Sequence, residues 1–213
     1  MKHLIWDLDG TLIDSYQEIL FHLKKSLNDA SLDISDANKS LRTGPPIDIM
    51  LKESFPSDIM TDEKIAEVLS FFRKRYDSSD FSMTNPYNGI NEIIVNDDFI
   101  HYIVTNKPEY PTRLILKKLG WEEKINLIKT PSNVINNRKS KTELFLEIIN
   151  ETGVDKKYFF GIGDMKSDCI AAKDNGITAI GVLWGTGTRE ELEEYSDYIF
   201  ENIQQLKDYL YDL

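Results

Sequence analysis

Apolar residues gather in short runs over His3 to Leu8, Ile100 to Thr105, Ile125 to Lys129, Tyr158 to Gly163 and Ile177 to Leu183, with a weaker run at Tyr198 to Phe200. Runs of this length, rich in Ile, Leu, Val and aromatics, predict strands of a parallel sheet buried on both faces. Between most of them the apolar positions recur at helical spacing, over Thr112 to Leu119, Thr142 to Thr152, Ser167 to Asn175 and Glu190 to Tyr195. Strands alternating with helices predict an α/β, Rossmann-like, doubly wound parallel sheet.

One interval breaks the alternation. From about Ser15 to Asn85 the pattern is helical at Gln17 to Asn28, Ile47 to Ser54 and Glu63 to Tyr76, with no convincing strand. One candidate strand precedes this stretch and five follow it. The expected organisation is a core domain of residues 1–14 and 86–213, into which residues 15–85 are inserted as a small helical cap domain. The loop around Ser82 to Pro86 would return the chain to the sheet.

Composition narrows the function classes. The 213 residues carry 36 acidic and 25 basic side chains, a net charge of −11, and no Lys/Arg-rich block that would gather a nucleic-acid backbone. A small anionic substrate is still compatible with this charge, because a bound divalent ion and a few placed cations can make a local field positive. Cys169 is the only cysteine, so no internal disulfide can form and a cytoplasmic location is expected. No run approaches the roughly 18 apolar residues of a bilayer span, and no membrane partner is expected. Oligomeric state is not readable from the sequence.

The chemistry concentrates where the predicted strands end. Asp7 and Asp9 stand two residues apart in Asp7-Leu8-Asp9-Gly10-Thr11, at the carboxyl end of the first apolar run. Ligands of open α/β sheets bind beyond the carboxyl ends of the strands. Two carboxylates there repel one another unless a cation offsets the repulsion. Taken alone, an Asp-Gly turn closing a strand, its acids simply solvated, is a competing explanation of the motif. Thr105 could merely cap a helix, Lys141 could be an exposed helix lysine, and Asp164 and Asp168 could favour a helix N-terminus. The joint placement of all these groups at strand ends changes the balance.

In that order the motifs resemble those of the haloacid dehalogenase superfamily over nearly the whole chain. Asp7, Asp9, Gly10 and Thr11 match its opening motif, and Thr105 in Ile103-Val104-Thr105-Asn106-Lys107-Pro108 matches its second. Lys141 matches its third, with Lys139 as the alternative lysine, and Gly163, Asp164 and Asp168 match its fourth. The resemblance implies an enzyme, a phosphatase of small phosphate monoesters, with Asp7 as nucleophile and Asp9 as acid and base. Thr105, Asn106 and Lys141 would hold the phosphate. Mg²⁺ would be bound by Asp7, the main-chain carbonyl of Asp9 and Asp164, with Asp168 as an indirect ligand. An acid at position 9 also favours phosphate chemistry over dehalogenation.

Arg42-Thr43-Gly44-Pro45-Pro46 resembles a cap loop of phosphoglycolate-phosphatase-like members, which makes Arg42 and Gly44 candidate substrate contacts. Phosphoglycolate, a nucleotide, a sugar phosphate and pyrophosphate all stay open as substrates. A phosphomutase of the β-phosphoglucomutase kind is the alternative enzyme, and an idle ligand-binding or regulatory protein the alternative of another class. A Rossmann dehydrogenase fits less well, because Gly185-Thr186-Gly187 lacks the third glycine of the dinucleotide fingerprint.

Overall fold

The computed structural model describes residues 1–37, 41, 44–131 and 138–212. The chain divides into two compact units, Met1–Asp14 with Pro86–Leu213, and Ser15–Asn85.

The first unit is built on a parallel sheet of β1 (Lys2–Trp6), β4 (Phe99–Val104), β5 (Ile125–Lys129), β6 (Phe159–Gly163), β7 (Thr178–Val182) and β8 (Tyr198–Phe200), in the order β5-β4-β1-β6-β7-β8. Trp6 pairs with Ile103 on one side and Ile162 on the other, which fixes the register of the centre. This is the α/β, Rossmann-like arrangement that the apolar runs predict. Leu4, Ile5, Trp6, Ile103, Val104, Ile162, Ile180 and Val182 are fully buried, as strands covered on both faces require.

From β1 the chain proceeds through β4 to β5 on one side of the sheet, and from β6 to β8 on the other. The order therefore reverses between β1 and β6, and a crevice opens at such a switch point beyond the carboxyl ends.

The helices of this unit are α4 (Ile90–Ile94), α5 (Glu109–Leu119), α6 (Lys141–Thr152), α7 (Lys166–Asp174), α8 (Arg189–Leu192) and α9 (Ile203–Asp212). Several boundaries correct the sequence reading. β1 stops at Trp6 rather than Leu8, because Leu8 already belongs to a turn. Helix α5 begins at Glu109 rather than Thr112, since Pro111 sits in the first turn, where its missing N–H costs nothing. Helices α4 and α9 were not expected; α9 buries only Leu206 and Leu210 of its ten residues, a thin apolar stripe.

Deep in this core the Trp6 indole N–H donates to His101 Nδ1 at 3.1 Å. An indole only donates, so the imidazole must present a lone pair and is neutral. Burial pushes the His101 pKa down to about 4.

The second unit holds α1 (Tyr16–Asp29), α2 (Ile47–Ser54) and α3 (Asp62–Tyr76), with Leu23, Leu27, Leu51, Val68 and Phe72 in its interior. Glu18 is also buried here. Its carboxylate accepts from Ser79 Oγ (2.6 Å) and the Met83 amide (2.8 Å) and lies 3.0 Å from His22 Nε2. Two-residue strands, β2 (Ile13–Asp14) and β3 (Asn85–Pro86), pair where the chain leaves the core and returns. No helix among the described residues is long and apolar enough to cross a membrane.

Candidate active site

Asp7 is the first residue past β1, and its amide still donates to the Ile162 carbonyl at 2.9 Å. The chain then turns tightly: the Leu8 carbonyl accepts from the amides of Leu12 (3.0 Å) and Ile13 (3.1 Å). Gly10 takes φ +88°, and a Cβ there would lie 2.4 Å from Asp164 Oδ2. Both the left-handed backbone and the close approach require glycine.

On the neighbouring strand β6, Gly163 leads into Asp164. One turn later Asp168 accepts the Met165 amide on Oδ2 (3.1 Å), so it secures the start of α7 and still offers Oδ1 to the site. Helix α6 begins with a reciprocal capping box between Ser140 and Glu143, which makes Lys141 its first residue. The Lys141 ammonium lies 2.9 Å from Asp7 Oδ1 and 2.5 Å from Asp168 Oδ1.

Asp7, Asp164 and Asp168, all buried, each present a carboxylate oxygen within 4.8 Å of the others. Lys139, by contrast, is exposed and pairs with Glu147. The structure thus separates the two lysines between which the sequence pattern left a choice.

Thr105 ends β4 with its side chain buried, and its Oγ1 accepts the Lys107 amide at 3.2 Å. Occupied as an acceptor in this way, the hydroxyl keeps its proton for another partner. Asn106 lies half-buried in the same turn.

Two contributors had not been singled out from sequence. The Lys107 ammonium, 5% exposed, lies 3.1 Å from Asp9 Oδ1. The Thr186 amide and hydroxyl both donate to Asp164 Oδ2, at 2.8 and 3.1 Å. The Lys107 to Asp9 and Thr186 to Asp164 contacts join residues far apart in the chain, so no local spacing signals them. Gly44 belongs to the inserted unit, at φ +122° ahead of α2, and Arg42 lies outside the described residues.

The electrostatics are lopsided. Four carboxylates, those of Asp7, Asp9, Asp164 and Asp168, face two ammonium groups, Lys107 and Lys141. Burial raises the Asp7 pKa to about 7; Lys141 opposes the shift, while Asp168 and Asp9 reinforce it. Burial and then Asp7 push Asp164 up to about 6, against the hydrogen bonds from Thr186. Asp168 is raised by burial in spite of Lys141. Burial favours the neutral form of Lys141, but Asp168 and Asp7 outweigh it and hold the ammonium above its ordinary range. Fully ionised, this group has a formal excess of two negative charges and offers oxygen donors only. That set fits a hard divalent cation such as Mg²⁺.

Residues 4–182 match the haloacid dehalogenase-like hydrolase family, and the chain belongs to it. It is therefore an enzyme of the hydrolase class. Among individual proteins, it is 28% identical to a phosphoglycolate phosphatase of Xanthomonas campestris, over 96% of this chain and 94% of the relative. It is 25% identical to a 5'-nucleotidase of Pseudomonas aeruginosa, over 91% of this chain and 87% of that one. The solved structure of a candidate phosphatase from Clostridium difficile superposes with a TM-score of 0.82 at 30% identity, covering 98% of both chains.

Proposed function

We propose that this protein is a Mg²⁺-dependent phosphatase of small phosphate monoesters that works through an aspartyl-phosphate on Asp7. The observation that carries the reading is the burial of three carboxylates and Lys141 together at the switch point of the sheet. Structural acids are seldom buried in excess of their cations, whereas phosphoryl transfer uses such a cluster.

In this reading an Asp7 carboxylate oxygen attacks phosphorus while the bond to the ester oxygen breaks, and Asp9 gives its proton to the departing alkoxide. Water then attacks the phosphorus of the aspartyl-phosphate, Asp9 takes a proton from it, and inorganic phosphate leaves with Asp7 restored. Lys141, Thr105 and Asn106 hold the peripheral phosphate oxygens. Asp7, Asp164 and the main-chain carbonyl of Asp9 would hold Mg²⁺, with Asp168 orienting the group through Lys141. When bound, the ion supplies positive charge that offsets the carboxylates and the incoming phosphate.

The named activities of the relatives differ in the group that leaves and agree in the phosphate monoester, which supports a small phosphorylated metabolite as the substrate class. Residues 15–85 would act as the cap that selects it, with Gly44 and Arg42 in the contacting loop. A cytoplasmic location belongs to the same proposal, supported by a chain with one cysteine.

A panel of phosphoglycolate, nucleoside monophosphates and sugar phosphates, assayed for phosphate release with Mg²⁺ and with EDTA, tests the reading. Turnover of at least one ester that disappears in EDTA is expected; a chain that releases phosphate from none would refute it.

A further inference from the structure

The segment Trp184-Gly185-Thr186-Gly187 follows β7, next to β6, and takes no part in the phosphoryl-transfer steps above. Its glycines do not form an open phosphate cradle. A Cβ at Gly185 would lie 2.3 Å from both Asp164 Oδ2 and the Gly10 carbonyl oxygen, and one at Gly187 would lie 1.7 Å from the Asp164 carbonyl oxygen. The space a bound phosphate would need is filled by the protein's own Asp164. The two glycines are there so that the loop can press onto that residue.

The contacts are specific as well as close. The Trp184 indole N–H donates to the Thr11 carbonyl at 2.9 Å, tying the loop to the turn that carries Asp9. Thr186 donates to Asp164 Oδ2 twice. Thr11 completes the frame, its Oγ1 donating to Asp164 Oδ1 (3.2 Å) and accepting the Asp164 amide (3.1 Å). A carboxylate has about four lone-pair positions. Here both on Oδ2 and one on Oδ1 are engaged, which leaves a single position, on Oδ1.

We propose that the Trp184–Gly187 loop is a positioning element that presents Asp164 to the divalent cation through Oδ1 alone, and that Thr186 sets the cation affinity. The inference rests on the Mg²⁺-dependent reading above. Thr186 acts through Asp164: it holds the carboxylate in one orientation, so that no ordering is left to be done on binding. Losing partners of this kind typically weakens metal affinity by about 10- to 100-fold.

The test is Mg²⁺ binding by titration calorimetry on the full chain, for the parent, Thr186→Val, Thr186→Ser and Trp184→Phe. Thr186→Val keeps the shape and the amide donor but removes the hydroxyl. Its Kd for Mg²⁺ is expected to rise about tenfold, with Thr186→Ser restoring the parent value and Trp184→Phe giving a smaller rise of about threefold. The activation constant for Mg²⁺ should rise by a larger factor than kcat falls. Unchanged affinity in Thr186→Val and Trp184→Phe, even with a lower Tm in EDTA, would overturn the proposal by reducing the loop to a packing role. Failure of Thr186→Ser to recover binding would also overturn it. A parent that binds no Mg²⁺ would bring down the functional reading itself, and this inference with it.

Discussion

Each unit of the molecule buries carboxylates, and it treats them in opposite ways. In the helical unit, Glu18 is surrounded by donors: a serine hydroxyl, a backbone amide and a histidine ring nitrogen. Its lone pairs are engaged locally, and it ties α1 to the turn that leads back to the core. In the sheet unit, Asp7, Asp164 and Asp168 crowd within 4.8 Å around one buried ammonium, and burial raises the pKa of each. Donors alone do not separate the two cases, since Asp164 also has three; what separates them is the number of carboxylates sharing one ammonium, an excess that a divalent cation offsets in the reading proposed above.

The sharpest way to break this contrast is to neutralise one acid from each group. Asp7→Asn is expected to lower kcat by about 10⁴-fold, as loss of a nucleophile does. It should also leave the metal-free protein no less stable, because it removes a charge that the fold buries at a cost. Glu18→Ala should do the reverse, losing roughly 2–3 kcal/mol of stability by stranding buried donors while kcat in the folded fraction stays near the parent value. Denaturant unfolding in EDTA, paired with phosphate-release assays, separates the two outcomes.

Next in size is the lysine contrast. Lys141→Met should reduce kcat by about 10²- to 10³-fold, as loss of a fixed charge at the transferring group does. Lys139→Met, whose side chain pairs with Glu147 on the surface, should leave steady-state activity unchanged.

The smallest effects are those of pH on stability, and they carry opposite signs. Asp7 has a folded pKa of about 7, above its ordinary 3.8, so the folded state binds the extra proton. Its contribution is favourable at low pH and is lost as pH rises through 7. His101 is depressed to about 4 from 6.5, so its contribution is present above 6.5 and lost as pH falls through 4. Mg²⁺ competes with protons only at the acids. The rise in Tm on adding Mg²⁺ should therefore grow between about pH 5 and pH 8 and be unaffected by Trp6→Phe, which removes the indole donor to His101.

What the sequence reveals of this molecule depends on the range of the interactions involved. The central strands were legible because burial on both faces leaves an apolar run, as at Tyr158 to Gly163, where the observed strand Phe159–Gly163 is buried throughout and shares the expected end. Asp7 was conspicuous because it stands where such a run ends. Boundaries slipped by a few residues at element ends: the helical spacing reads from Thr112, whereas α5 starts at Glu109 and holds Pro111 in its first turn.

The preference for Lys141 over Lys139 rests on local pattern, and the capping box between Ser140 and Glu143, itself a four-residue pattern, starts the helix at 141. Lys107 and Thr186 carry no such local signal. Thr186 meets an acid 22 residues away, through a turn whose closeness depends on glycines at 185 and 187. In sequence those glycines resemble a fragment of a nucleotide-binding fingerprint; in the fold they let a loop close onto Asp164.

The claim that excess buried acid marks a cation site is tested most directly by calorimetric titration of the metal-free protein with Mg²⁺ at about pH 7.5, above the raised pKa values of Asp7 and Asp164. One site per chain is expected in the parent and in Glu18→Gln, with loss of binding in Asp164→Ala. No binding to the parent, or equal binding in Asp164→Ala, would contradict the claim.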